Sequence, residues 1–159
     1  MRKRSYISLL FWIVLTLAAG LINGTVSRPD AWYYALHKPE WTPPNWVFTP
    51  IWILLYILMG IAAWFVWKKS VEKSVIIAIG LFIIQLALNT AWAWIFFGLH
   101  NPGMAFVEIC LLWVAILLTS LAFWRIYPPA AGLLLPYLLW AAFAATLNFS
   151  IWQRNIGIA

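Results

Sequence analysis

Trp52, Gln85, Asn89, Trp140 and Asn148 carry the most chemical potential in this chain, because each lies in a stretch made almost wholly of apolar side chains. A carboxamide in such surroundings must find a hydrogen-bond partner. An indole offers a broad apolar plane and is the most readily oxidised aromatic side chain present. Residues three and four apart share one side of a helix, so spacing sorts these groups into faces. Pro136, Trp140, Ala144 and Asn148 form one stripe, Gln85, Asn89, Trp92 and Phe96 a second, and Trp52, Tyr56, Gly60 and Ala63 a third. The amides could tie helices together. Large indoles beside Gly60 and Ala144 describe either a packed core or a flat-walled cavity for a planar apolar ligand, and periodicity leaves both open.

Other chemistries have no residues to run on. The chain offers no nucleophile with a neighbouring base, no carboxylate pair and no phosphate-binding loop. Glu108 is the one acid inside the apolar stretches; near the start of its helix, where the dipole favours a carboxylate, it is expected at the interface. His37 and His100 fall in loops without the spacing of a metal site, so no metal is expected. Cys110 is the single cysteine, which excludes an internal disulfide and a thiolate cluster.

The elements that position these groups follow from charge. Of 159 residues, 65% are hydrophobic and 9% charged, against roughly 25% charged in a soluble domain. The uncharged gaps are long enough to cross a hydrocarbon core of about 30 Å. Pro43-Pro44-Asn45, Gly98 to Gly103 and Tyr127-Pro128-Pro129 trim them. The reading is an all-α membrane protein, a single domain over 1–159 with helices near 5–26, 45–67, 74–97, 104–124 and 131–152. The apolar run after Arg2-Lys3-Arg4 exceeds a signal core and four more spans follow, so it reads as a retained helix.

Five spans put Arg2, Lys3, Arg4, Lys68, Lys69, Lys73 and Arg125 at one end and Arg28, Lys38 and Arg154 at the other. The positive-inside rule then makes the N-terminus cytoplasmic in a bacterial cell membrane and leaves the 27–44 loop and the C-terminus outside. The net charge of +6 reflects topology and lipid contact rather than nucleic acid. Counted from the helix ends at the 27–44 side, Asn148 is about 6 Å deep, Trp52 about 10 Å, Asn89 and Ala144 about 12 Å and Trp140 about 18 Å. Trp12, Trp41, Trp46, Trp64, Trp67, Trp124 and Trp152 are placed to form an aromatic belt; Trp52 and Trp140 are too deep for one. The loop from Arg28 to Pro44, stiffened by Pro39, Pro43 and Pro44, would cover any cavity.

These segments resemble the TspO/MBR (translocator protein, peripheral benzodiazepine receptor) family over nearly the whole chain. The matching stretches are Trp32-Tyr33 with Leu36, Lys38-Pro39, Trp41 and Pro43-Pro44; Pro50, Trp52 and Tyr56; Gln85 to Asn89 with Trp92 and Phe96-Phe97-Gly98; and Pro136-Tyr137 with Trp140, Phe143-Ala144 and Thr146-Leu147-Asn148. The resemblance implies a five-helix bundle, commonly a homodimer, that binds protoporphyrin IX or haem-like tetrapyrroles as ligand and requires no cofactor. In animal members it extends to cholesterol and benzodiazepine-type drugs. By similarity Trp52, Asn89, Trp140, Ala144 and Asn148 line the pocket, with Tyr33 and Pro44 from the loop above. Residues like Trp52 and Trp140 are implicated in light-dependent porphyrin breakdown in some bacterial members. Phe149 stands where the animal sterol motif has tyrosine, so the resemblance does not extend to that motif. Three functions stay open: a tetrapyrrole receptor for sensing, transport or disposal; an enzyme oxidising bound porphyrin in light; and a transporter of tetrapyrrole or sterol-like lipid.

Overall fold

The computed structural model describes residues 2–69 and 73–157, with side chains from Tyr6 onward. The side chains of Arg2, Lys3 and Arg4, part of the charge bias above, lie outside the described residues. Five long helices cross the molecule: α1 (Arg2–Val26), α3 (Asn45–Trp67), α4 (Lys73–Ala93), α5 (Pro102–Ile126) and α6 (Pro128–Arg154). A short α2 (Ala31–Ala35) lies in the 27–44 loop, and a π-helical turn, Trp94–Gly98, continues α4. Among the described residues there is no strand. The apolar spans are 21 to 27 residues long, or about 31 to 40 Å at the helical rise. Together with their composition, this makes the chain an integral membrane protein.

The helix ends follow local chemistry. Asn45 opens α3 directly after Pro43-Pro44, and Pro128 and Pro102 occupy the first turns of α6 and α5, where a missing N–H costs nothing. α5 and α6 thus begin a few residues before the 104 and 131 expected from sequence. Asn101 caps α5 by accepting from the Met104 N–H at 2.9 Å.

The helices close a ring. α5 packs between α4 and α6, α3 packs between α1 and α6, and α1 also meets α4. The α1–α3 contact depends on glycine. A methyl group on Gly60 would stand 2.8 Å from the Ile13 Cα, and one on Gly20 would stand 2.6 Å from the Tyr56 ring. The Thr16 hydroxyl, fully buried, donates to the Tyr56 carbonyl across this seam at 2.7 Å. The space beside Gly60, which sequence left open between core and cavity, is therefore filled by the α1 backbone.

Met59, Phe82, Leu112, Ile116, Phe123 and Leu134 build the main core. A second cluster under the 27–44 loop joins Tyr33, Leu36, Phe96, Ala105, Leu147 and Ile151. Two expectations fail here. Trp12 is not in an aromatic belt but buried in the core, edge-on to Trp67 and Phe82, because the glycine seam draws α1 against its neighbours. Glu108 is not interfacial; it is 7% exposed and turned into the bundle, on the α5 face shared with Ala105, Ile109 and Leu112.

Candidate functional site

Asn23, Tyr56, Asn89 and Tyr137 meet in one layer inside the bundle, nearer the 27–44 end. Asn89 of α4 is its hub. Its Oδ1 accepts from the Tyr56 hydroxyl at 2.6 Å and from Asn23 Nδ2 at 2.9 Å, while its Nδ2 donates to the Tyr137 hydroxyl at 3.1 Å. Asn23 Nδ2 also donates to the Tyr56 hydroxyl at 2.8 Å. Four helices are thus joined by one amide, each bond contributing about 0.6–2 kcal/mol in a membrane interior. Sequence reading did not single out Asn23, although an amide within an apolar run is the signal that would have found it.

Asn148 of α6 accepts from the Trp92 Nε1–H at 3.0 Å and donates to the Pro102 carbonyl at 2.7 Å. It fastens α4 and α5 to α6. Gln85 is also buried, but its donor meets only the Met59 sulfur at 3.9 Å and its Oε1 has no partner. For Asn89 and Asn148, the tying role is therefore filled within the protein itself.

The large rings line a different place, the seam between α3 and α6. Trp52 lies over Tyr56 with centroids 5.7 Å apart and meets Tyr137 edge-on at 6.3 Å. Trp140 meets Phe48, one turn before Trp52, at 5.8 Å and Phe143 at 5.2 Å. Trp52, Trp140 and Ala144 are all half-buried, and the buried Trp140 Nε1–H has no acceptor. Pro136, placed in the same stripe by spacing, is exposed; Tyr137 and Ala141 are the buried residues of this part of α6. The ring stripe is thus a flank of the buried face, at the edge of the bundle.

The loop covers this end. Asp30 caps α2 by accepting from the Tyr33 N–H at 2.9 Å and pairs with His100 Nε2 at 3.0 Å. The cap bond to Tyr33 is the chief cause holding the Asp30 carboxyl below its ordinary range. Trp32 stacks on the His100 imidazole at 4.3 Å. Asn155, unforeseen from sequence and 1% exposed, accepts from the His37 N–H and donates to the His37 carbonyl, both at 3.0 Å. The Lys38 ammonium donates to the Tyr33 and Leu36 carbonyls at 2.6 and 3.1 Å, and desolvation holds it below the ordinary lysine range.

Tyr33 is buried and tilted against Phe97 at 5.6 Å, in the cluster that also packs Phe48 and Phe143, both ring neighbours of Trp140. Pro44, at the start of α3, is exposed. Trp140 is thus linked to the Tyr33 cluster through Phe48 and Phe143, Asn89 adjoins Trp52 through Tyr56, Ala144 is half-buried one turn beyond Trp140, and Asn148 is bonded to Trp92. A cleft of about 260 Å³ opens elsewhere at this end, lined by His100, Asn101, Gly103, Trp152 and Asn155 among others. It falls below the roughly 300–1,000 Å³ of ordinary ligand sites.

The TspO/MBR family pattern matches residues 12–153. The chain is 45% identical to the tryptophan-rich protein TspO of Chlorobaculum tepidum, over 96% of this chain and 99% of that one. It is 44% identical to the human translocator protein, over 79% of this chain and 76% of that protein. To the tryptophan-rich sensory protein of Cereibacter sphaeroides it is 37% identical, over 84% and 82%.

Proposed function

The chain belongs to the TspO/MBR family, and from that premise we propose that it is a membrane receptor for a planar tetrapyrrole of the protoporphyrin IX or haem type, held at the α3–α6 seam beneath the 27–44 loop. The observation that carries this reading is the pair of half-buried indoles, Trp52 on α3 and Trp140 on α6, with small Ala144 one turn beyond Trp140. A flat apolar ligand gains most where it slides between aromatic planes, and rings at the rim of a bundle can part without breaking its core. The unpartnered Trp140 Nε1–H supplies a donor. Tyr33, Phe48 and Phe143 close the top of the site, and Asn89, acting through Tyr56, stiffens its floor.

The experiment is titration of purified protein with protoporphyrin, followed by quenching of tryptophan fluorescence. Saturable binding that Ala144→Leu weakens at least about tenfold supports the seam; unchanged affinity in that variant places the ligand elsewhere.

A second reading rests on the same two indoles. Photoexcited porphyrin in contact with Trp52 or Trp140 would accept an electron from indole in a site poor in water, leaving an indole radical cation and a porphyrin radical anion, and dissolved dioxygen, taking up that electron as superoxide, would supply the oxidant for ring breakdown. Porphyrin absorbance would then decay in light faster with wild type than in empty detergent. Decay undiminished in the Trp52→Phe, Trp140→Phe double variant removes this reading and leaves binding. Positive charge concentrated on the 68–73 and 125 side supports a cytoplasmic N-terminus and a site facing outward. Reporters fused at the two chain ends should report opposite sides.

A further inference from the structure

We propose that Glu108 is a proton-binding residue of the buried polar layer behind the seam, taking up a proton when a carboxylate-bearing ligand enters the seam. The inference rests on the binding site argued above.

Glu108 is 7% exposed and both its carboxylate oxygens lack a hydrogen-bond partner. It stands on α5 one turn from Ala105, part of the aromatic cluster under the loop, and one turn from Leu112, part of the main core. That is the boundary at which Asn89 and Tyr137 are bonded. Asn23, Tyr56, Asn89 and Tyr137 form a hydrogen-bonded series, and among the described residues the Tyr137 hydroxyl donates to no acceptor. Tyr137 and Glu108 are close enough to interact electrostatically. The fifth helix of the ring therefore contributes an unpaired acid to a layer whose other helices contribute amides and phenols.

Among the described residues no cation in that layer pairs with the acid, so its charge is sensitive to any further anion brought near it. From α4 come the amides Gln85 and Asn89, from α6 the phenol of Tyr137 and the amide of Asn148, from α3 the phenol of Tyr56, and from α1 the amide of Asn23. The ionic groups Arg28, Asp30, His37, Lys38, Glu40, His100 and Arg154 belong to the loop end. An ionised carboxyl in such surroundings carries a desolvation cost that a second nearby anion raises further. Porphyrin carboxylates brought into the seam add a like charge across a weakly screening interior, and the site relieves it by binding one proton from water on a Glu108 oxygen. Binding that consumes a proton weakens as pH rises.

The test is the affinity of the full chain for protoporphyrin and for its dimethyl ester, measured across the neutral range. For wild type, the diacid should bind progressively more weakly as pH rises, with a slope approaching but not exceeding about tenfold per unit for one proton, and the diester should show less than half that slope. Glu108→Gln should lose most of the slope; Glu108→Asp, which keeps the acid, should retain it. Ligand self-association is common to all variants and cancels in the comparison. Should Glu108→Gln fail to fold, the dependence of wild-type binding heat on the buffer's ionisation enthalpy counts the protons directly. An unaltered slope in Glu108→Gln, or no proton uptake by that heat, overturns the proposal while leaving tetrapyrrole binding intact. Failure of wild type to bind either porphyrin at any pH sinks both.

Discussion

Helix α3 meets α1 on one side and α6 on the other, and the two seams are closed by opposite means. Against α1 it presents Gly60, whose missing side chain lets the Ile13 backbone approach as closely as a methyl group would sit, and Thr16 locks the contact with a buried hydrogen bond. Against α6 it presents Phe48 and Trp52, which meet Trp140 and Tyr137 edge-on at centroid separations of 5.8 and 6.3 Å. Backbone contact has no slack, because nothing short of moving a helix relieves a clash. Rings at half burial can rotate. One seam is a mounting and the other the proposed site, and the helix they share holds Trp52 in place from behind.

The largest effect should come from filling the mounting. Gly60→Val forces a branched side chain into the Ile13 backbone and should cost about 3 kcal/mol or prevent folding, the upper range for overpacking, as measured by thermal unfolding in detergent. If Gly60→Val unfolds at the wild-type temperature, the contrast between the seams collapses. Next is Asn89→Ala, which leaves the Tyr56 and Tyr137 hydroxyls and Asn23 without their partner. With three bonds lost it should destabilise by about 2 kcal/mol, and binding should weaken as Tyr56 loosens behind Trp52. Retention of full stability would mean that water replaces the amide.

Filling the other seam should give the complementary result. Ala144→Leu adds bulk where side chains can yield, so the protein stays folded within about 1 kcal/mol while porphyrin binding weakens by at least about 1.4 kcal/mol. A variant that loses stability and keeps affinity would reverse the roles assigned to the two seams. Trp52→Phe and Trp140→Phe test the site more finely. Each keeps an apolar ring, so affinity should remain within about tenfold, and a far larger loss would show that indole area or the Trp140 N–H dominates recognition.

The smallest effect concerns the lid. The folded-state pKa of Asp30 is depressed, chiefly by its bond to the Tyr33 N–H, so its contribution to loop docking is present above the ordinary aspartate value and lost as pH falls through the lower folded value, below about 4. Trp32, stacked on His100 beside Asp30, should report this acid transition by fluorescence, and Asp30→Asn should abolish it. A transition that persists in Asp30→Asn would belong to another group.

Sequence alone determined the membrane class, the five spans and three of the inward amides. Charges are too expensive in hydrocarbon to be scattered, so their gaps mark the helices, and prolines and glycines mark the ends: the α3 start at Asn45 was legible from Pro43-Pro44 alone. The same economics made Gln85, Asn89 and Asn148 readable as inward groups, and all three are buried. Only the tertiary structure decided what stands opposite each of them. Gly60 was assigned to the wall of a core or a cavity, and the α1 backbone occupies the place; Trp12 read as interfacial and is core; Glu108 read as interfacial and is enclosed. Asn155, past the last span, gave no periodic signal, yet it clamps His37 from 118 positions away. Helical periodicity fixes the direction of a side chain from its own axis to within a face. Which neighbour lies in that direction, and how near, depends on how the five axes pack, and in a chain apolar on every side that packing is set by small residues and paired amides whose partners are far apart in sequence.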